Sequence, residues 1–150
     1  MIRYASPNDG PWLLDMGEAF FREAGHHDKT GHFDPVSFGH AIDALGSHDL
    51  LLVAEEDGKP VGMAGADVGR AFWNHQTILG REAFWYIGKD YRKGQGRALL
   101  EGLEQAAKRA GATLFDVVAE EGEGRRGDAL ARLYRAAGYS PAERVFRKRL

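Results

Sequence analysis

Trp85-Tyr86-Ile87-Gly88-Lys89-Asp90-Tyr91-Arg92-Lys93-Gly94-Gln95-Gly96-Arg97-Ala98-Leu99-Leu100 is the stretch on which the reading of this chain turns. On its upstream side Ala83 to Ile87 is an unbroken apolar run, as a buried strand requires. Downstream, Ala98, Leu99, Leu100, Leu103, Ala106, Ala107 and Ala110 recur at helical spacing before Gly111. The pattern predicts a strand over about Glu82 to Ile87, a glycine turn, and a helix from about Gly96 to Ala110. A helix entered through glycines presents unpaired N–H groups and the positive end of its dipole. With Arg92, Lys93 and Arg97 alongside, the turn reads as an anion site, a cradle for a pyrophosphate.

Gly94 and Gly96 alone are weak signals, because glycine is the default residue of tight turns and the pair can simply satisfy turn geometry. The cations favour the anion reading. A nucleoside-triphosphate loop needs Gly-Lys followed by Ser or Thr at the helix start, and none is present. A dinucleotide fingerprint needs a third glycine where Leu99 stands. It also needs more strand and helix units than the residues after the next strand can supply.

Outward from this centre, Ser6-Pro7-Asn8-Asp9 resembles a capped helix start. Trp12, Leu13, Met16, Ala19 and Phe20 then continue at helical spacing toward Gly25. Residues 25 to 33 read as loop. Asp34-Pro35 opens a second helix with Val36, Phe38, Ile42 and Leu45. Leu50 to Ala54 is a buried strand, and Asp57-Gly58 turns it into an antiparallel partner over Val61 to Val68. Residues 69 to 80 read as a longer connection. Thr113 to Ala119 reads as another buried strand and 120 to 127 as a charged loop. Asp128 caps a helix carrying Leu130, Leu133, Tyr134 and Ala137, and Val145 to Leu150 alternates as a terminal strand would.

The 150 residues fit one domain, 1–150, since a chain of this length buries about two-thirds of its unfolded surface around a single core. Twenty Lys and Arg against 22 Asp and Glu leave a formal charge of −2, so no global field draws the chain to nucleic acid or an anionic membrane. There is no cysteine, which removes disulfides, thiolate metal sites and a thiol nucleophile. The first residues lack the apolar stretch of a signal peptide or membrane span, so a cytoplasmic location is expected.

In element order the chain resembles the GCN5-related N-acetyltransferases (GNAT). The resemblance is sequence-specific in two stretches, Trp85 to Leu100 and the late helix Ala129-Leu130-Ala131-Arg132-Leu133-Tyr134-Arg135-Ala136-Ala137-Gly138-Tyr139. It implies an α/β (α+β) fold in which a central, mostly antiparallel mixed sheet splays between the strands at about 82–87 and 113–119. Acetyl-CoA would lie in that gap, with cofactor contacts from Tyr86, Ile87, Arg92, Lys93, Gly94, Gln95, Gly96, Arg97 and Ala98. The implied reaction moves the acetyl group directly to a primary amine, with no metal. Two departures stand out. Arg92 precedes Gly94 by two positions, one fewer than the family loop has, so Tyr91 falls in the place of the usual Gln or Arg. The Asn often found before the late helix is replaced by Glu-Gly-Glu-Gly-Arg-Arg.

The resemblance assigns Tyr134 the protonation of the departing thiolate; pattern alone makes it a core residue, since it shares a helix face with Leu130, Leu133 and Ala137. The amine must lose a proton before attack, and Glu82 is the first candidate base, with Glu120 second. Simple alternation puts Glu82 on the face of Phe84 and Tyr86, a parity that a bulge reverses. The plain alternative is an ordinary solvated strand-end charge. His26, His27 and His32 lack helical metal spacing and suggest an acceptor loop instead. Phe72 and Trp73 are a candidate homodimer contact. Two other functions stay open at this level: a non-catalytic acyl-CoA sensing module, and a toxin-like enzyme acting on aminoacyl-tRNA, which the near-neutral charge disfavours.

Overall fold

A computed structural model describes residues 1–92, 94–119 and 126–150, which form two compact units, Met1–Asp116 and Val117–Leu150. The first unit is an open five-stranded sheet in the order β1 (Ile2–Tyr4), β2 (Leu51–Glu56), β3 (Lys59–Ala71), β4 (Asn74–Ile87) and β5 (Leu114–Asp116). The first four strands pair antiparallel, and β5 runs parallel to β4.

Alternation along β2 explains how the sheet is covered. Leu51 and Val53 face α1 (Gly10–Glu23) and α3 (Pro35–Ser47), joining Leu13, Ile42, Met63, Phe84 and Tyr86 in one core cluster. Leu52 and Ala54 point the other way and pack with Ala64, Ala66, Ile87, Leu99 and Leu103 beneath α4 (Gln95–Arg109). The apolar stripe read from the sequence is therefore the buried face of α4, with Leu99, Leu100, Leu103, Ala106 and Ala107 all buried.

The segment 69–80, expected as a connection, is instead the upper half of a long hairpin. β3 and β4 pair from Gly62↔Ile87 out to Ala71↔Asn74, and Phe72-Trp73 is the two-residue turn. It carried no readable signal because neither turn residue has a positive φ, whereas the turn at Asp57-Gly58 has φ values of 49° and 76°. At its tip Phe72 and Trp73 are 81 % and 92 % exposed and meet edge to face at 4.7 Å. Gly80, which read as an element boundary, lies inside β4 because α4 and β5 come too close there for a side chain. A Cβ at Gly80 would stand 2.7 Å from the Phe115 ring and 3.2 Å from Ala107 Cβ. Gly80→Leu is expected to lower stability by about 2 kcal/mol in urea unfolding through overpacking.

Three further expectations are corrected. Residues 25–33 contain a short helix, α2 (His26–Thr30), which the polar run His-His-Asp-Lys-Thr hides. Its support is tertiary: His26 packs against Phe20 and Phe21, at 5.6 and 5.3 Å, and His27 against Phe21 at 4.9 Å. β5 is three residues long rather than seven, ending at Asp116. Val145 to Leu150 forms no strand; it is irregular and exposed, so its alternation reflects no ladder in this structure. The late helix appears as α5 (Arg126–Ala136), with Asp128 in its first turn.

Candidate active site

β5 releases β4 early. It pairs only with Leu79, Gly80 and Arg81, so among the described residues the outer edge of β4 from Glu82 to Ile87 has no strand partner. The parting of the sheet thus falls between these two strands, as expected. Which groups face the opening follows from register. Gly88 N–H donates to Val61 C=O at 2.9 Å, making 61 and 88 a hydrogen-bonded pair, and Gly62↔Ile87 is then a non-bonded pair. The N–H and C=O of Ile87 point to the open edge, while those of Tyr86 point inward to Met63. Ile87 C=O indeed accepts from Arg92 Nε at 3.0 Å on that side.

The β4 ladder also skips a residue. Gly65 opposes Phe84 and Ala66 opposes Glu82, leaving Ala83 as a bulge. The bulge reverses the parity, so Glu82 stands with Ala66 on the α4 face and not with Phe84 and Tyr86 on the other. Glu82 is half-buried there.

α4 begins directly after Gly94, whose φ of +89° only glycine adopts without strain. No side chain caps this helix start. The Gly94 amide bonds to Arg92 C=O at 3.0 Å, and by the i to i−4 rule Ala98 N–H reaches back to Gly94. The open first-turn donors are therefore those of Gln95, Gly96 and Arg97. Gly96 is also a packing requirement, since a Cβ there would lie 3.1 Å from the Trp85 ring. The turn-geometry reading of the two glycines and the anion reading are thus compatible. Gln95 Nε2 donates to Glu56 at 3.4 Å, and Arg97 pairs with Glu101 at 2.8 Å on the exposed face. Lys93 and Glu120 lie outside the described residues, as does the Glu-Gly-Glu-Gly-Arg segment before α5.

Arg92 has a different setting from the one expected of a phosphate ligand. Its terminal nitrogen donates to Glu23 Oε2 at 2.5 Å, its Nε holds Ile87 C=O, and its guanidinium lies 5.8 Å from the Tyr86 ring centre. Tyr86 O–H donates to the other Glu23 oxygen at 2.8 Å. Burial alone would raise the Glu23 carboxyl, but the hydrogen bonds from Arg92 and Tyr86 and the charges of Arg92 and Lys89 outweigh it and hold it below the usual range. Burial, reinforced by the Glu23 carboxylate, pushes the Tyr86 phenol up. Sequence reasoning passed over Glu23. The available signal was an acid in the last turn of a helix, where the dipole disfavours it and a compensating cation is expected.

In the second unit, Tyr134 is buried on α5, and its O–H donates to Val118 C=O at 3.0 Å. Its ring meets Tyr139 at 5.8 Å, and Tyr139 N–H returns to Tyr134 C=O at 3.0 Å past Gly138. Among the described residues no three His, Cys, Asp or Glu side chains gather as a metal site, and no helix is long and apolar enough to cross a membrane.

With four strands antiparallel and only β5 parallel, this open sheet is set apart from the doubly wound parallel sheets of dinucleotide folds. Comparison with known proteins makes this specific: the acetyltransferase (GNAT) family model matches residues 13–139, and the chain belongs to that family of N-acetyltransferases, which use acetyl-CoA. No curated protein matches the sequence significantly. Among solved structures, it is similar to an aminoglycoside acetyltransferase from an uncultured soil metagenomic sample, with 23 % identity, a TM-score of 0.72, and coverage of 100 % of this chain and 97 % of that one. It is also similar to AAC(6')-Iy in complex with a CoA bisubstrate analogue (16 %, TM-score 0.75, coverage 100 % and 98 %). A third is a ribosomal-protein-alanine N-acetyltransferase from Brucella melitensis biovar Abortus 2308 (16 %, TM-score 0.71, coverage 100 % and 99 %).

Proposed function

We propose that residues 1–150 act as one acetyltransferase domain that moves the acetyl group of acetyl-CoA directly to a primary amine of a small molecule, peptide or protein. The observation that carries this reading is the junction of the open β4 edge with the uncapped start of α4. Diphosphate oxygens would accept from the amides of Gln95, Gly96 and Arg97. The outward Ile87 N–H would hold the thioester carbonyl as negative charge develops on its oxygen. Glu82, directly or through a water, first takes the ammonium proton, and the neutral amine nitrogen then attacks the carbonyl carbon. As the C–S bond breaks, Tyr134 gives its proton to the thiolate, and the second proton of the attacking nitrogen, passed through water, restores the phenol. No metal enters this scheme, and we place it in the cytoplasm. The exposed Phe72-Trp73 tip is our proposed homodimer contact, checked by the mass of the double serine variant in light scattering.

Calorimetry with acetyl-CoA tests the reading first, and free-CoA release over a panel of amines tests it second. The names of the similar structures set that panel: aminoglycosides and alanine-bearing ribosomal-protein peptides, to which simple polyamines are added. Binding with turnover of at least one amine is expected. Binding without turnover on any acceptor would instead favour a sensing module. Gly94→Ala should retain the fold while losing roughly 1 to 2 kcal/mol of stability from the left-handed φ. It should bind acetyl-CoA more weakly, because the start of α4 shifts.

A further inference from the structure

We propose that Glu23 is a positioning residue for acetyl-CoA: its carboxylate holds Arg92, and through Arg92 the turn that delivers the first helical amides of α4 to the diphosphate. This rests on the acetyl-transfer reading above and adds a residue from a distant element, 69 positions earlier in the chain.

Arg92 is anchored at two points. One guanidinium nitrogen reaches Glu23 Oε2 at 2.5 Å, and Nε reaches Ile87 C=O at 3.0 Å. The second contact closes a loop onto the last residue of β4, so the chain between Ile87 and Arg92 is cross-braced by the side chain that ends it. The first ties that brace to α1. Both Glu23 oxygens are used, since Tyr86 O–H takes the other at 2.8 Å, and Tyr86 is itself on β4. Helix α1, strand β4 and the turn are thus locked through one carboxylate whose side chain is only 15 % exposed. Lys89, 3.9 Å away and 70 % exposed, adds little in water.

Two physical consequences support the assignment. A carboxylate at the C-terminal end of α1 opposes the helix dipole, a placement that only a strong counter-charge makes favourable. And Tyr91 N–H donates to Gly88 C=O at 2.9 Å, so the segment that Arg92 braces is already a tight turn. Arg92 also occupies the outward Ile87 carbonyl, so the N–H of that residue, a donor, is what the open edge offers to a thioester oxygen.

The competing arrangement gives Arg92 to the phosphates directly. The two differ in sign. If Arg92 is a phosphate ligand restrained by Glu23, Glu23→Ala releases it and acetyl-CoA binds as tightly or more tightly. If Glu23 works through Arg92 as a brace, Glu23→Ala and Arg92→Ala each weaken binding by about tenfold, and the double variant is no weaker than either within twofold, because both break one unit. Arg92→Lys recovers little, since a point charge cannot reach the carboxylate and the carbonyl together.

The experiment is calorimetry of acetyl-CoA with wild type, the two single variants, the double variant and Arg92→Lys. Steady-state kinetics accompany it, and KM for acetyl-CoA is expected to rise while kcat stays within twofold. Hydrogen exchange of the unliganded protein adds a readout independent of turnover: in Glu23→Ala the amides of 88–92 should exchange at least tenfold faster with the β2 and β3 amides unchanged. Glu23→Gln keeps the acceptor for Tyr86 and serves if the alanine variant does not fold. Equal affinity in wild type and both Glu23 variants overturns the proposal alone. A wild type that binds no acetyl-CoA overturns the acetyl-transfer reading and this proposal with it.

Discussion

Tyr134→Phe is expected to lose at least tenfold in turnover on any accepted amine while acetyl-CoA affinity stays within twofold, as removal of a general acid predicts. The variant keeps the ring, so its packing against Tyr139 and the α5 face survives. What it loses is one proton and the hydrogen bond to Val118 C=O. That bond sets the size of the structural effect: losing one hydrogen bond to the half-exposed Val118 costs about 1 kcal/mol, which calorimetric unfolding will register. The functional effect is separable, because a phenol that has exchanged Val118 for a departing thiolate acts only as the C–S bond breaks. Pre-steady-state release of CoA distinguishes the two. A rate unchanged on a genuine substrate removes Tyr134 from the chemistry and returns it to the core.

Asp9→Ala should cost about 3 kcal/mol of stability, as removing one partner of a buried ion pair does. Asp9 is 4 % exposed, yet it is fully partnered. Its oxygens receive Arg3 at 2.8 and 2.9 Å, Ser6 N–H at 2.7 Å and Ser6 O–H at 3.0 Å, and Arg3 also reaches Glu55 at 2.6 Å. The cluster ties β1 to β2 and to the turn before α1. Removing the carboxylate leaves part of the Arg3 guanidinium and the Ser6 amide without acceptors. The hydrogen bond from Arg3, together with those from Ser6, outweighs burial and lowers the carboxyl from 3.8 to about 2. A depressed carboxyl stabilises the fold above its unfolded value and loses that contribution as pH falls. About 2 kcal/mol should therefore disappear between roughly pH 4 and pH 2 in the wild type and be absent from the Asp9→Ala titration. Urea midpoints measured at pH 6, 4 and 2.5 give the comparison.

How much of this was legible depended on whether the signal was local. The stripe on α4 and the Asp57-Gly58 turn each lie within a few residues and follow from periodicity or from a positive φ. The Phe72-Trp73 turn has no such mark, and Gly80 misleads, because its cause is a close approach of Ala107 and Phe115 that no window along the chain contains. α2 likewise owes its place to rings contributed by α1. At the candidate site, the glycine turn was visible as a cluster of residue types. The parity of Glu82 depended on a bulge at Ala83, and the setting of Arg92 depended on Glu23.

By itself, then, the sequence determined which segments are amphipathic, that a glycine-entered helix follows a buried strand, and which family the chain joins, because these are properties of residue order at short range. Tertiary structure alone decided where β5 lets go of β4, which amides face the opening and what Arg92 holds. Those outcomes come from register and from pairings between residues dozens of positions apart, where each side chain has several allowed partners and only the assembled sheet selects among them.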